Sequence, residues 1–349
     1  MTTFKDADAF GEFDVIRRFF HRQHFTPSDL NLAPAHAQDV LLGIGDDCAL
    51  LSPPPSGEVF AITSDMLIEG RHFLKDVSPT LLGHKCLAVN LSDLAAMGAK
   101  PVAYNLSIAL PEIHPTWLEQ FSNGLHAIAD HYHCQLLGGD TTAGPLSISI
   151  TAIGHVLPQQ ALSRNRAQVG DDIWLSGDVG DARLVLGFRR GEWQLDIPWQ
   201  EKSARMDAPI PRIELGLGLR GLAHAAIDVS DGLLGDLKHI LEASKVGAKV
   251  WADDVPCSDL MKNVSTELRR LCTLRGGDDY ELCFTAPQKN RALIKTLSEN
   301  LHLPLTRIGE IVAHSEHSPI IELWDHDHNQ LPEEITQHYL KSFDHFQSL

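Results

Sequence analysis

The chain is short of positive charge. Its 29 lysines and arginines stand against 46 aspartates and glutamates, a formal charge of −17 over 349 residues. That balance repels nucleic acid and anionic membrane unless cations intervene, so an acidic protein that handles phosphates needs metals. No stretch approaches the ~18 apolar residues that span a bilayer. The first residues, MTTFKDADAFGEF, carry acidic side chains and no apolar core of signal-peptide length. A cytoplasmic protein is the expectation. The cysteines (Cys48, Cys86, Cys134, Cys257, Cys272, Cys283) form no CxxC pair and no zinc-ligand spacing, which marks them as reduced, small apolar residues. There is no HExxH among the 19 histidines, and His326 and His328 sit in a polar run near the C-terminus. Also missing are a GxxxxGK[ST] loop and the HRD and DFG motifs of protein kinases, so any kinase here has another architecture.

With 43% hydrophobic and 21% charged residues, the composition is that of a globular protein, and the length predicts two domains. Apolar runs at 40–51 and 59–65 end in Gly or Asp clusters, which places two carboxylate clusters at strand ends. From 81 to 97 a helical period sets Leu87, Leu91 and Leu94 on one face and Asn90, Asp93 and Met97 on another. Residues 102–110 and 146–152 alternate as half-buried strands, with a helix at about 116–131 and a short strand at 134–137 running into Gly138-Gly139-Asp140 between them. A polar stretch from 158 to 170 separates this from a second pattern. There, helix candidates (213–224, 231–243, 260–271, 290–297) alternate with strand candidates (172–175, 226–229, 248–252, 281–284, 306–312), as in an α/β or α+β domain. The expected boundary divides residues 1–157 from 158–349.

Five segments carry the candidate chemistry: GIGDD at 43–47, TSD at 63–65, NLSD at 90–93, GGDTT at 138–142 and DVSDG at 228–232. Any one of them alone reads as a turn or a helix cap, and Asp231 would serve to cap the helix that follows it. Their recurrence is the signal. Two unit charges ~4 Å apart interact by about 4 kcal/mol at an effective dielectric near 20, so clustered carboxylates must protonate or bind cations. Oxygen donors from Asp, Ser and Thr suit Mg²⁺, which usually shares its coordination with substrate phosphates. Neighbouring glycines let phosphate oxygens approach the backbone. Arg164, in the run LSRNR, is a candidate phosphate clamp, with a solvated linker arginine as the alternative.

Read together, these segments resemble the thiamine-monophosphate kinase family, of the superfamily that includes aminoimidazole ribonucleotide synthetase and selenophosphate synthetase. The resemblance runs nearly end to end. It takes in GEF at 11–13, GIGDDCALL at 43–51, ITSD at 62–65, KCLAVNLSDLAAMGAKP at 85–101 and LLGGDTTAGPLS at 136–147. It continues through AIDVSDGLLGDLKHI at 226–240, GGDDYELCFT at 276–285 and FDHF at 343–346.

The resemblance implies a two-domain α+β fold of the aminoimidazole ribonucleotide synthetase type, with an N-terminal sheet that pairs with a second subunit in a homodimer. It implies ATP-dependent phosphorylation of thiamine monophosphate to thiamine diphosphate by direct in-line transfer, with several Mg²⁺ ions and no catalytic base. The family's magnesium ligands fall on Asp47, Thr63, Ser64, Asp65, Asp93, Asp140, Asp228 and Asp231. Its ATP contacts fall on Gly139, Asp140, Arg164 and Ser230, and its substrate side on His72 and Asp278. Two positions depart from the pattern. Asp278 stands where relatives carry Glu. Leu340, a further substrate-side position, stands where they often carry a Trp, whose stacking surface is then missing or supplied by Trp324 instead. The rival readings are another ATP-dependent member of the superfamily, for which an early reactive cysteine or a C-terminal cysteine would be diagnostic, and an acidic divalent-cation-binding scaffold. Nucleotide binding that requires Mg²⁺ separates enzyme from scaffold.

Overall fold

The computed structural model describes residues 11–21, 39–194, 205–315 and 320–340. The FDHF segment at 343–346 lies outside them. The chain divides into two compact units, one built from residues 1–90 and 101–155 and the other from 91–100 and 156–349.

In the first unit a short helix α1 (Glu12–Val15) runs into a π-helical turn (Ile16–Phe20). The small hairpin β1 (Val40–Leu42) and β2 (Leu50–Leu51) follows. The main sheet has the order β3-β6-β4-β5, built from β3 (Val59–Ile68), β4 (Lys100–Leu110), β5 (Gln135–Ala143) and β6 (Ser147–Val156). Helices α2 (Pro79–Ala96) and α3 (Pro115–His131) accompany it. Glycines let the two helices approach closely: a Cβ on Gly83 would lie 2.0 Å from the Phe121 carbonyl oxygen, and one on Gly124 would lie 1.8 Å from that of Thr80.

Three local expectations change here. β3 continues to Ile68 and β5 runs through Gly138, Gly139 and Asp140, so the TSD and GGD segments lie inside strands, not at their ends. β4 is buried along most of its length because it is an inner strand, flanked by β6 and β5. α2 is not two-faced: Leu87, Leu91 and Leu94 are buried, but so are Lys85, Asn90 and Ser92, as for a helix enclosed on nearly every side. It starts at Pro79, a residue suited to the first helical position, and stops at Gly98, whose φ of +62° ends the helix in the left-handed region.

The second unit holds a six-stranded sheet of order β12-β9-β11-β7-β10-β8. Its strands are β7 (Asp171–Ser176), β8 (Ala225–Asp228), β9 (Gly247–Trp251), β10 (Leu282–Pro287), β11 (Leu305–Val312) and β12 (Ile321–Trp324). The helices are α4 (Asp181–Arg189), α5 (Ile213–Gly218), α6 (Leu233–Ser244), α7 (Thr266–Arg275), α8 (Arg291–Leu301) and α9 (Glu333–Tyr339). The pairings are antiparallel except β12 on β9, so this is a mixed sheet with helices, as α+β requires. α6 and residues of the sheet, including Ile173, Leu175, Ile227, Val250, Ile308 and Leu323, form an apolar core. The helix expected at 213–224 stops at Gly218, where Gly216 and Gly218 weaken it, and the one expected at 260–271 resolves into a 3₁₀ turn (Met261–Asn263) and α7.

Asp172, whose side chain is 1% exposed, is held by both Nε and Nη2 of Arg291 at 2.6 Å and by Arg307 at 3.2 Å. Burial alone would raise its pKa, but the two guanidiniums outweigh that and hold it below the ordinary carboxylate value. A depressed folded-state pKa stabilises the fold above the unfolded value and loses that contribution as pH falls through the folded one. Asp172→Asn is therefore expected to cost about 1–2 kcal/mol at neutral pH, below the usual buried-pair range because both arginines reach solvent. The deficit should shrink below about pH 4. Denaturant melts at pH 7 and pH 3.5 check it, and an equal deficit at both would contradict the ion pair's role.

The six cysteines are free thiols, and burial pushes Cys272 up to about 12 and Cys86, Cys134 and Cys283 higher still, which leaves these four inert. His326 and His328 are exposed in the turn after β12. No helix among the described residues is long and apolar enough to cross a membrane.

Candidate functional site

In the first unit the strand period sorts the TSD segment. Thr63 and Asp65 are half-buried and share one face of β3, whereas Ser64 points to the other face, where its hydroxyl lies 3.2 Å from the Ile150 carbonyl and 2.9 Å from Thr151 Oγ1. The Asp65 backbone is fixed at both ends. Its N–H donates to Asn90 Oδ1 at 3.1 Å and its carbonyl accepts from Ser149 Oγ at 3.2 Å. Asn90, wholly buried in α2, is itself anchored through Nδ2 to the Cys86 carbonyl at 3.1 Å. The carboxylate of Asp65 takes part in none of these bonds.

Gly139 and Asp140 are exposed on β5, where parallel pairing sets Gly139 opposite Leu106 and Asp140 opposite Ser107. Gly139 has φ +148°, and a Cβ there would fall 1.6 Å from the Leu106 carbonyl oxygen, so only glycine lets β5 lie against β4 at this point. Asp47 is exposed in the turn between β1 and β2, and its N–H donates to Asp46 Oδ1 at 3.2 Å. His72 is half-buried after β3, and its Nδ1 accepts from the Ile68 N–H at 2.9 Å, which closes the turn.

In the second unit Asp228 ends β8, is 3% exposed, and accepts from Ser92 Oγ at 2.7 Å. Asp93, the next residue on α2, is half-buried. Ser230 and Asp231 follow in a loop before α6. Asp231 does not cap that helix: the capping position is Gly232, with no side-chain cap. The backbone is held from the other direction by Asp236, inside the first turn of α6 and 4% exposed. Its Oδ2 accepts from the N–H groups of Ser230 (3.0 Å), Asp231 (3.2 Å) and Gly232 (3.1 Å). Burial, then the charges of Asp228 and Asp231, push the Asp236 carboxyl well above the ordinary range, with the loop N–H groups opposing them. The charges of Asp228 and Asp231 thus reach Asp236 at this end of the sheet.

The GGDDYE segment is stapled to the same loop. The N–H of Asp278 donates to the Ser230 carbonyl and that of Tyr280 to the Val229 carbonyl, both at 2.8 Å, and a Cβ on Gly277 would lie 2.2 Å from the Ser230 oxygen. Asp278 has φ +66°, a conformation Asp tolerates better than most side chains, and its Oδ1 accepts from Tyr280 Oη at 3.2 Å. Glu281 is wholly buried under Arg205, Arg212 and Ser176. Burial raises the Asp279 carboxyl far above its usual range, despite the Gly180 amide 2.9 Å away. These two hold the segment in place and leave Asp278 half-buried at its turn.

Arg164 is exposed in the 3₁₀ turn Arg164–Arg166, and its carbonyl accepts from Ser244 Oγ of α6 at 2.7 Å. Leu340 packs against the apolar core of this unit, beside Tyr339 at the end of α9. Trp324 belongs to β12, the sheet edge opposite β8. Five strand spacings of about 4.8 Å put it about 24 Å from the Asp228 edge, too far to stack on a small acceptor held there. Ser92 and Asp236 are residues that sequence reasoning did not single out, and Asn90 one to which it gave no role of its own. Each lies inside a quoted motif, but their roles depend on contacts to other strands and loops.

The donor set is all oxygen, carboxylate and hydroxyl, which fits magnesium. Among the described residues no group of three or more His, Cys, Asp or Glu is gathered as a metal cage. Mg²⁺ is characteristically held by one or two carboxylates with water and substrate phosphates, a mode that needs no such cage.

The AIR synthase related protein N-terminal domain matches residues 45–156, and the corresponding C-terminal domain matches 168–322. The chain is 43% identical over 314 residues to the thiamine-monophosphate kinase of Salmonella typhimurium, covering 88% of this chain and 92% of that one. The crystal structure of thiamine-monophosphate kinase from Stenotrophomonas maltophilia is similar at 48% identity and TM-score 0.75, over 82% of this chain and 91% of that one. So is AaThiL complexed with AMPPCP and TMP, at 28% identity and TM-score 0.69, over 87% and 92%. With relatives this similar over most of its length, the chain belongs to the thiamine-monophosphate kinase family, within the AIR synthase related proteins.

Proposed function

We propose that this chain transfers the terminal phosphoryl group of ATP to thiamine monophosphate, giving ADP and thiamine diphosphate. The observation that carries this reading is the 43% identity to a thiamine-monophosphate kinase across 88% of the chain. The relative that holds AMPPCP and TMP together supports it. An oxygen of the acceptor phosphate attacks the terminal phosphorus, the bond from that phosphorus to the bridging oxygen breaks, and ADP leaves. The acceptor phosphate is already ionised at neutral pH, since its second pKa is about 6, so no side chain need act as base. What the protein must supply is positioning and charge neutralisation.

Magnesium would supply neutralisation of the phosphate charge. In the first unit Asp47, Thr63, Asp65 and Asp140 would hold it. Ser64 belongs to that set as well, its hydroxyl facing β6. In the second unit the ligands would be Asp93, Asp228 and Asp231. Gly139, Asp140, Arg164 and Ser230 would contact ATP, and His72 and Asp278 the acceptor. Leu340, packed beside Tyr339, would border the acceptor side as well. Residues 1–157 are read as the nucleotide- and magnesium-binding domain and 158–349 as the α+β domain that carries Arg164, Asp228, Ser230 and Asp231. A second copy of the chain would cover β3. This edge strand exposes an alternating row of Phe60, Ile62, Met66 and Ile68, with Ile62 66% and Met66 56% exposed.

Product analysis tests the reading. With ATP and Mg²⁺, thiamine monophosphate should give thiamine diphosphate and thiamine should give nothing. Chelator should abolish turnover, Mg²⁺ should restore it, and Ca²⁺ should substitute poorly because its looser coordination misplaces the phosphate oxygens. Phosphorylation of thiamine itself, or full activity in chelator, would overturn the reading. An acidic scaffold would show no Mg²⁺-dependent ATP binding at all. Light scattering of the same preparation is expected to give twice the chain mass, and the mass of a single chain would count against the dimer.

A further inference from the structure

The loop of residues 229–232 enters α6 with its backbone N–H groups pointing inward, the arrangement by which helix N-termini and amide nests bind phosphate. Here every one of those donors is engaged within the protein. Val229 N–H donates to the Glu281 carbonyl at 2.8 Å, and the next three converge on Asp236 Oδ2 at 3.0, 3.2 and 3.1 Å. The amide of Asp236 returns to the Gly232 carbonyl at 2.9 Å, which closes the ring between loop and helix. Gly232 has no room for a side chain, since a Cβ would lie 2.5 Å from the Arg275 carbonyl oxygen, so the loop cannot relax toward α7.

We infer that Asp236 is a positioning residue: its carboxylate fills the amide nest at the start of α6, denies that nest to phosphate, and fixes the backbone from which Ser230 and Asp231 project. This deepens the kinase reading and rests on Ser230 and Asp231 as its ligand-side residues. The loop then meets its ligands with a hydroxyl and a carboxylate, not with backbone amides. That is the reverse of a phosphate-binding loop, and it suits a segment that holds cations beside the phosphates.

The test is Asp236→Ala, with Asp236→Asn as the conservative companion, in the full chain. Amide hydrogen exchange of the peptide spanning Ser230 to Gly232 is one readout, and steady-state kinetics with and without 50 mM (roughly) sodium formate is the other, formate being a free carboxylate small enough for the vacated nest. In Asp236→Ala exchange at Ser230–Gly232 should quicken about tenfold or more and kcat should fall about tenfold, with KM for either substrate moving less than about threefold. Formate should return part of both losses, and Asp236→Asn, which keeps an acceptor oxygen, should lie between. Unchanged exchange in Asp236→Ala would overturn the inference. So would faster exchange with kcat within threefold of wild type, or losses that formate leaves untouched. If Asp236→Ala does not fold, Asp236→Asn decides: faster exchange confined to this loop supports the inference and unchanged exchange overturns it. The exchange readout is independent of the reaction, so a failed kinase reading would leave it standing and remove only the kinetic arm.

Discussion

Asp65→Asn and Asp93→Asn are each expected to lower turnover by about a thousandfold, the loss of roughly 4 kcal/mol of transition-state stabilisation, while the protein stays folded. The structure explains why the fold should survive. Asp65 is built into β3 through its N–H and carbonyl, bonded to Asn90 and Ser149, and asparagine keeps both backbone bonds. Asp93 sits in the last turn of α2, where a negative charge opposes the helix dipole by about 0.3–1 kcal/mol. Asparagine there should leave the melting temperature unchanged or slightly raised. Each variant is assayed for turnover at saturating ATP, Mg²⁺ and thiamine monophosphate, with thermal melts alongside. Turnover within threefold of wild type in a folded variant would remove that aspartate from the magnesium proposal.

The local motifs were legible because glycine and aspartate at fixed offsets constrain backbone and charge together. Their setting was less so. The TSD and GGD segments read as strand ends because polar residues follow apolar runs, yet both lie inside strands: Asp65 is fixed by Asn90 from α2, and Gly139 lets β5 approach β4. α2 read as two-faced because Asn90 and Asp93 are polar, but Asn90 is buried and bonded to a strand amide, and neighbouring Ser92 is buried and bonded to Asp228. A polar residue bonded within the core has the same letter as one in water, so periodicity alone cannot separate them. Asp236 escaped notice for the same reason. Its partners are the amides of residues 230–232, which any sequence has. In contrast Asp278, the departure from the family pattern, gains a local reason: its φ of +66° is a conformation in which a short Asp is at ease.

Arg164→Ala is expected to raise the ATP requirement ten- to a hundredfold while changing that for thiamine monophosphate little. The turn that carries Arg164 is fixed, because Ser244 Oγ donates to its carbonyl at 2.7 Å and accepts from the Ala167 N–H at 3.0 Å. The side chain itself is exposed, and among the described residues its guanidinium makes no hydrogen bond or ion pair. Arg166, two residues on, differs: its Nη1 donates to the Ala161 carbonyl at 3.3 Å and closes the preceding segment. One arginine of the turn is therefore structural and the other is presented on a rigid base, as a phosphate clamp requires. Loss of a charge-assisted contact costs about 1.5–3 kcal/mol, which gives the expected range. Lysine should rescue only in part, since an ammonium cannot pair two phosphate oxygens at once as a guanidinium does. Arg166→Ala serves as the control and should leave the ATP dependence alone. Steady-state kinetics with each substrate varied in turn make the measurement. If Arg164→Ala instead raises only the thiamine monophosphate requirement, the residue serves the acceptor, and ATP must be held by Gly139, Asp140 and Ser230 without it.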